Sequence, residues 1–218
     1  MSSNLLAPPN LVGHRIAATE NDPIAAALFE YLLAGNGLFV RAKRRELAVS
    51  LPLALQKISG LPKTSVGISW TNPRIPASLW LAILRHSQQT HTSSRFKEEV
   101  YLIYWDQVLG AWQWRASGRE SNWASTIADD TLPEYAQCCI ELHTHPPGAS
   151  NFSMADDRDE LGKFRIFAIL IDVHDEPKIR FRCGVYDHLI PIPAVWVGDM
   201  PEGTIDLNEI DALVEMLS

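Results

Sequence analysis

Two histidines and an aspartate lie close together in one stretch of the chain. Glu141-Leu142-His143-Thr144-His145-Pro146 leads through Pro147-Gly148-Ala149-Ser150-Asn151-Phe152 into Ser153-Met154-Ala155-Asp156. Residues two apart on a strand leave the same face. At the end of a strand, His143 and His145 can therefore turn both imidazoles toward one zinc ion, at nitrogen–zinc distances of about 2.0–2.1 Å. Pro146 ends the strand, Gly148 lets the chain turn back, and the loop is long enough to bring Asp156 round as a third ligand. Two histidines, one aspartate and a water form the open kind of zinc site that catalyses hydrolysis, not the closed structural kind. The same residues have a plainer reading. A His-x-His pair is common by chance, and Ser153-Met154-Ala155-Asp156 is also a capping box, with Ser153 as N-cap and Asp156 at N3 of a helix. The two readings are compatible, because a helix start is a good place to present an acid toward a cation.

The surrounding elements can be read from pattern. Asp22 as N-cap, Pro23 at the first helical position and the run Ile24 to Ala34 predict a helix over 23–34, stopped by Gly35 and Gly37. Residues 1–22 read as a loose arm or edge segment. Leu38–Ala42 and Glu46–Leu51 read as two short strands around a basic turn, and residues 54–73, with Gly60, Pro62 and Pro73, as a link. A second unit begins near Arg74. In it Pro76–Gln88 has helical periodicity, Glu99–Asp106 and Ala111–Ala116 form a β-hairpin, and Gln137–His143 is a strand. Arg165–Val173 is a nearly continuous apolar strand suited to the middle of a sheet. Lys178–Tyr186 alternates after the turn Asp175-Glu176-Pro177, and a last helix covers about Asp206–Leu217. The expected class is α/β, a mixed β-sheet flanked by helices. The expected domains are an N-terminal α+β extension over 1–70 and the site-bearing domain over 74–218.

Bulk properties narrow the functions. The 218 residues are 46% hydrophobic and 21% charged, which suits a folded chain of one or two domains and excludes disorder throughout. No apolar run approaches the roughly 18 residues of a membrane span, and the start lacks the pattern of a signal peptide. A formal charge of −7 argues against direct nucleic-acid binding. The one basic cluster, Arg41, Lys43, Arg44 and Arg45, reads as a solvated hairpin tip. The odd count of three cysteines, Cys138, Cys139 and Cys183, predicts buried free thiols and a cytoplasmic location.

The pattern His143-Thr-His145-Pro, then Ser153-x-x-Asp156, resembles the JAMM motif of the MPN+/JAB-domain metallopeptidases. That family has a cytidine-deaminase-like core and an upstream glutamate that opens a strand after a helix. Glu99, 44 residues before His143, fits that place. The resemblance spans about residues 74–195. It implies that His143, His145 and Asp156 hold Zn²⁺, that Glu99 is the general base and then the acid, and that Ser153 donates to the oxyanion. Glu98 competes with Glu99, since neighbours on a strand face opposite ways. Thr144 replaces the family's usual serine, and Phe152 stands where proline often precedes the serine. A closer resemblance is to bacterial proteins of the PRTRC cassette, a mobile-element set with ParB-related and ThiF-related members. This implies a ThiF-like adenylating protein as partner and a ubiquitin-like protein or peptide as substrate.

Other residues carry blander expectations. Glu141 reads as structural, and Asp157 and Asp159 as charges at a helix start. His14, His86, His91, His174 and His188 read as surface or packing residues. Trp112 and Trp114, with Trp105 and Trp123 nearby, read as sheet packing, with a peptide-binding wall as the alternative. No glycine-rich phosphate loop is present. A non-catalytic scaffold of the same fold is the rival to an enzyme.

Overall fold

A computed structural model describes residues 10–20, 22–90, 97–117, 119–122 and 125–209. The chain is mixed α/β and divides into two units between Thr71 and Asn72, each built on a mixed sheet.

The first unit is a five-stranded sheet in sequential order, β1 (Val12–Ile16), β2 (Phe29–Ala34), β3 (Gly37–Lys43), β4 (Leu47–Leu55) and β5 (Gly67–Trp70). β1 and β2 run parallel and the remaining neighbours antiparallel. The helix expected over 23–34 is not formed. Phe29–Ala34 is a strand hydrogen-bonded on both sides, and Asp22 closes a turn by accepting from Ala18 N (2.8 Å) and Thr19 N (3.1 Å). Gly35 and Gly37 thus stop no helix, and it is Gly35 and Asn36 that form the turn. They are the two-residue loop of a hairpin, with Ala34 opposite Gly37. Gly37 has φ +143°, and a Cβ there would lie 2.1 Å from Ala54 O, so only glycine fits. The expected link over 54–73 contains β5. Arg41 is not at a solvated tip either. It is buried within β3, 3.3 Å from Glu30 Oε1. Leu32, Phe39, Leu47 and Leu51 are fully buried.

The second unit opens with α1 (Ala77–Thr90), whose Leu79, Trp80 and Ile83 are buried at helical spacing. β6 (Val100–Asp106) and β7 (Ala111–Ala116) follow as a hairpin, with a small pair β8 (Arg119–Asn122) and β9 (Ser125–Ile127) after it. A short helix α2 (Pro133–Gln137) leads into β10 (Ile140–Thr144). Then come α3 (Met154–Glu160), β11 (Lys163–Ile171), β12 (Lys178–Tyr186), β13 (His188–Ile192), α4 (Ala194–Val197) and β14 (Ile205–Asp206). The sheet order is β13-β12-β11-β10-β6-β7, with β14 also paired to β12. β10 is central. It runs parallel to β11 and antiparallel to β6, and Tyr101, Ile103, Ile140, Phe167 and Phe181 are fully buried on these strands. Cys138, Cys139 and Cys183 are buried and free. Trp105 and Trp112 meet edge to face across the β6–β7 pair, and Trp112 Nε1 donates to Pro73 O at 2.7 Å, so both serve packing. Trp123, His91 and most of the helix expected over Asp206–Leu217 lie outside the described residues; its start, at Asp206, is in β14. No helix among the described residues is long and apolar enough to cross a membrane.

Candidate metal centre

His143 is the penultimate residue of β10, and His145 lies just beyond its end. The chain stays extended there, because His145 N donates to Leu170 O on β11 at 2.9 Å. Alternation then puts both imidazoles on one face. The loop that follows is tied back to β11, with Gly148 N donating to Asp172 Oδ1 at 3.2 Å. Gly148 has φ +80° in open space, so glycine is required there by backbone conformation and not by crowding.

The loop delivers Ser153 and Asp156 as a full capping box at the start of α3. Ser153 Oγ accepts from Asp156 N at 3.2 Å, and the Asp156 carboxylate accepts from Ser153 N at 2.5 Å. That carboxylate also faces the histidines. His143 Nε2 lies 3.2 Å from Asp156 Oδ1, His145 Nε2 lies 3.5 Å from Asp156 Oδ2, and the two Nε2 atoms are 2.9 Å apart. A tetrahedral ion with ligands at about 2.0–2.1 Å needs neighbouring ligand atoms about 3.3 Å apart. The three edges bracket that value. His145 Nδ1 is 3.0 Å from Ala149 O, a contact that makes Nδ1 the donor and leaves Nε2 with its lone pair toward the cluster. The donor set of two imidazole nitrogens and one carboxylate suits zinc, and the three residues form a possible metal-binding group.

The electrostatics follow from this crowding. Burial works to raise the Asp156 carboxyl, but hydrogen bonds from both imidazoles and from Ser153 N outweigh it and hold the group far below the usual carboxylate range. Burial works to lower His145. Asp156, the Ala149 carbonyl and the charge of Glu98 outweigh it and raise the imidazole.

Glu98 is buried, and its side of the sheet is set by register. Val100 lies opposite His143. One residue further, Glu99 and Thr144 exchange hydrogen bonds, Thr144 N to Glu99 O and Glu99 N to Thr144 Oγ1, both 2.9 Å. One more residue puts Glu98 opposite His145. Glu98 therefore shares the histidine face, and Glu99 does not. The Glu99 carboxylate turns to the other side, where Oε2 accepts from Thr90 Oγ1 (2.7 Å) and Tyr101 OH. Of the two candidate glutamates, Glu99 therefore lies on the face away from the histidines and Glu98 on theirs, because adjacent strand residues project oppositely.

A further group beside the centre brings in Arg182 and Glu160, which the sequence reading did not mark. Phe152 stands edge-on to His143, with ring centroids 6.2 Å apart. The Arg182 guanidinium lies 3.8 Å over the Phe152 ring, donates from Nε to Glu160 and donates from Nη1 to Asp157, both at 2.6 Å. Asp157 is thus a partner of Arg182 and not a lone surface charge. Glu160 follows Asp156 by four residues on α3, a same-face spacing that could have flagged it. Arg182 comes from β12 and has no local signal. Glu141 is held by Arg165 Nη1 at 2.6 Å, in keeping with a structural role.

Comparison of the chain with protein-family models, with curated proteins and with solved structures finds no match.

Proposed function

We propose that this chain is a zinc-dependent peptidase or isopeptidase of the JAMM type, with an α/β core of that family's kind. The observation that carries the reading is the convergence of His143, His145 and Asp156, with Glu98 set by register on the histidine face of the sheet. Zinc held by the three ligands would supply a Lewis acid that polarises a carbonyl and lowers the pKa of water to about 7. Glu98 accepts the proton of the attacking water and returns it to the leaving amine. Ser153 uses its oxygen to cap α3, so its hydroxyl proton is left to donate to the substrate carbonyl oxygen as negative charge builds there. His145 is kept in register by the Ala149 carbonyl, so no step requires its rotation. The substrate class proposed is a peptide or isopeptide bond at the C-terminus of a ubiquitin-like protein, supplied by a cassette that also encodes a ThiF-like adenylating protein.

The test is elemental analysis of the full chain and of His143→Ala, followed by turnover of ubiquitin-like fusions by Glu98→Gln and Glu99→Gln. The reading expects about one zinc per chain, lost in His143→Ala. It expects zinc retained but turnover lost in Glu98→Gln, and turnover retained in Glu99→Gln. No zinc after supplementation favours a non-catalytic scaffold. Full turnover in Glu98→Gln removes that residue as the base.

A further inference from the structure

The loop between His145 and Asp156 is anchored at three successive residues. The Ala149 carbonyl is 3.0 Å from His145 Nδ1. The residue before it, Gly148, donates from N to Asp172 Oδ1 at 3.2 Å. The residue after it, Ser150, accepts at its carbonyl from Arg180 Nε at 2.8 Å. The two outer anchors come from neighbouring strands, since Asp172 directly follows β11 and Arg180 belongs to β12. Register places Arg180. His143 lies opposite Ile169 and Ile169 opposite Arg180, so Arg180 rises from the histidine face. Its Nη1 also donates to Asn208 Oδ1 at 3.2 Å, which fixes the guanidinium from a second side.

Asp172 is the unusual member of this set. Its φ is +54°, in the left-handed region that residues with a Cβ seldom adopt. Such conformations persist where the surroundings fix them, and they gather at functional sites. The side chain shows what fixes this one. Oδ1 accepts from Gly148 N in the loop, and Oδ2 accepts from Lys178 Nζ on β12 at 2.9 Å. Lys178 is 30% exposed, so the ion pair by itself is worth little. The bond to Gly148 is the one that reaches toward the centre, although neither hydrogen bond touches His143, His145 or Asp156.

A loop that is free before binding must be ordered when the ion enters, and the lost freedom is subtracted from affinity. The segment Gly148–Ser150 carries the carbonyl that orients His145, and the chain runs on from it to Ser153 and Asp156. We propose that Asp172 is a positioning residue for the zinc centre, an assignment that rests on the zinc reading above. By holding Gly148 N it fixes the next carbonyl, that of Ala149, and through it keeps His145 Nε2 turned to the cluster before metal arrives. Asp172 acts only through the loop. Its left-handed backbone is what aims the carboxylate at that loop, so the strain at the end of β11 serves the site.

The test is calorimetric titration of the full chain with zinc at one fixed pH, with thermal unfolding of the metal-free protein beside it. Asp172→Gly takes up the left-handed backbone without strain but offers Gly148 N no acceptor. Its zinc affinity falls about 10–100-fold, the range for lost outer partners of metal ligands. Relief of the backbone cost keeps its metal-free melting temperature within about 4 °C of the wild type. Asp172→Asn tolerates the same backbone, keeps an oxygen for Gly148 N and breaks the ion pair, and it retains the wild-type zinc affinity. Lys178→Met breaks the ion pair from the other side and also leaves zinc affinity unchanged. These two variants separate the tether from the charge pair. Equal affinity in the wild type and in Asp172→Gly overturns the proposal. So does a loss as large in Asp172→Asn or Lys178→Met, and so does a loss in Asp172→Gly that accompanies general unfolding. A wild type that binds no zinc removes the zinc reading itself, and this assignment with it, whereas the other failures leave that reading standing.

Discussion

Replacing Arg182 by methionine tests how the centre is held. Arg182 donates hydrogen bonds to both Asp157 and Glu160, and it covers Phe152. Its side chain is 9% exposed, and the Glu160 side chain is 4% exposed. Methionine keeps much of the side-chain length but leaves Glu160 buried without its cation. Burial pushes the Glu160 carboxyl up to about 8 even beside Arg182, so at neutral pH it is largely protonated, and losing its guanidinium partner leaves a buried polar group unsatisfied at a cost of about 1–3 kcal/mol. The lost contact over Phe152 adds about 0.5–1 kcal/mol. Asp157 is half exposed and adds little. At about 2–4 °C per kcal/mol for a chain of this size, the melting temperature should fall by about 3–16 °C. The double variant Arg182→Met with Glu160→Met removes the stranded acid as well, and apolar replacement of a buried pair is often neutral or stabilising. It should therefore be more stable than Arg182→Met alone, with a coupling of about 0.5–3 kcal/mol. Urea denaturation of the two single variants and the double variant measures this. A double variant at least as unstable as the sum of its singles would refute the buried-pair account. A parallel zinc titration reads the consequence for the site. Arg182→Met loosens α3 and Phe152, so zinc affinity should fall although no ligand has changed.

Two more outcomes follow from the same geometry. Zinc must displace a proton from His145, whose folded value is raised above 6.5, so apparent zinc affinity should rise with pH until that value is passed. The metal-free protein should show the opposite trend. The raised His145 stabilises it fully below about 6.5 and loses that contribution as pH rises through the folded value, whereas the lowered Asp156 contributes at all pH above about 3.8. Zinc titrations and melting curves between pH 6 and pH 8 check both trends, and a zinc affinity independent of pH would contradict the proton competition. Ser153→Ala removes the N-cap of α3 and should cost about 0.5–2 kcal/mol, with Ser153→Thr restoring most of it. Unchanged stability in Ser153→Ala, measured by denaturant melts, would show that the cap holds nothing.

Local pattern was enough wherever one element's burial is set by its own residues. β7, β12 and α1 lie close to their expected places, because alternation or helical periodicity there matches the face each element buries. The grouping of His143, His145 and Asp156 was legible because all of it sits within fourteen residues joined by a Pro/Gly loop, with a capping box at its end. β2 was not legible. Asp22-Pro23 followed by an alanine-rich run is a sound helix start on propensity, and only hydrogen bonding to β1 and β3 on both sides makes Phe29–Ala34 a strand. The fate of Arg41 was hidden for a related reason. Its burial depends on Glu30, which becomes its neighbour only when those strands pair.

Sequence by itself determined which chemistry the chain can offer, since residue types and short spacings belong to the covalent chain. It set two imidazoles two residues apart, an acid at a helix start and two adjacent glutamates. Tertiary structure alone decided which glutamate shares the face of the histidines. Glu98 and Glu99 are equivalent in composition and differ only in the face they take, and that face follows from a β6–β10 register formed across more than forty residues of chain. It also decided that Arg182, 26 residues beyond Asp156, would clamp the helix that carries this aspartate. Contacts at such separation leave no trace in a local pattern, because they exist only once the sheet has closed.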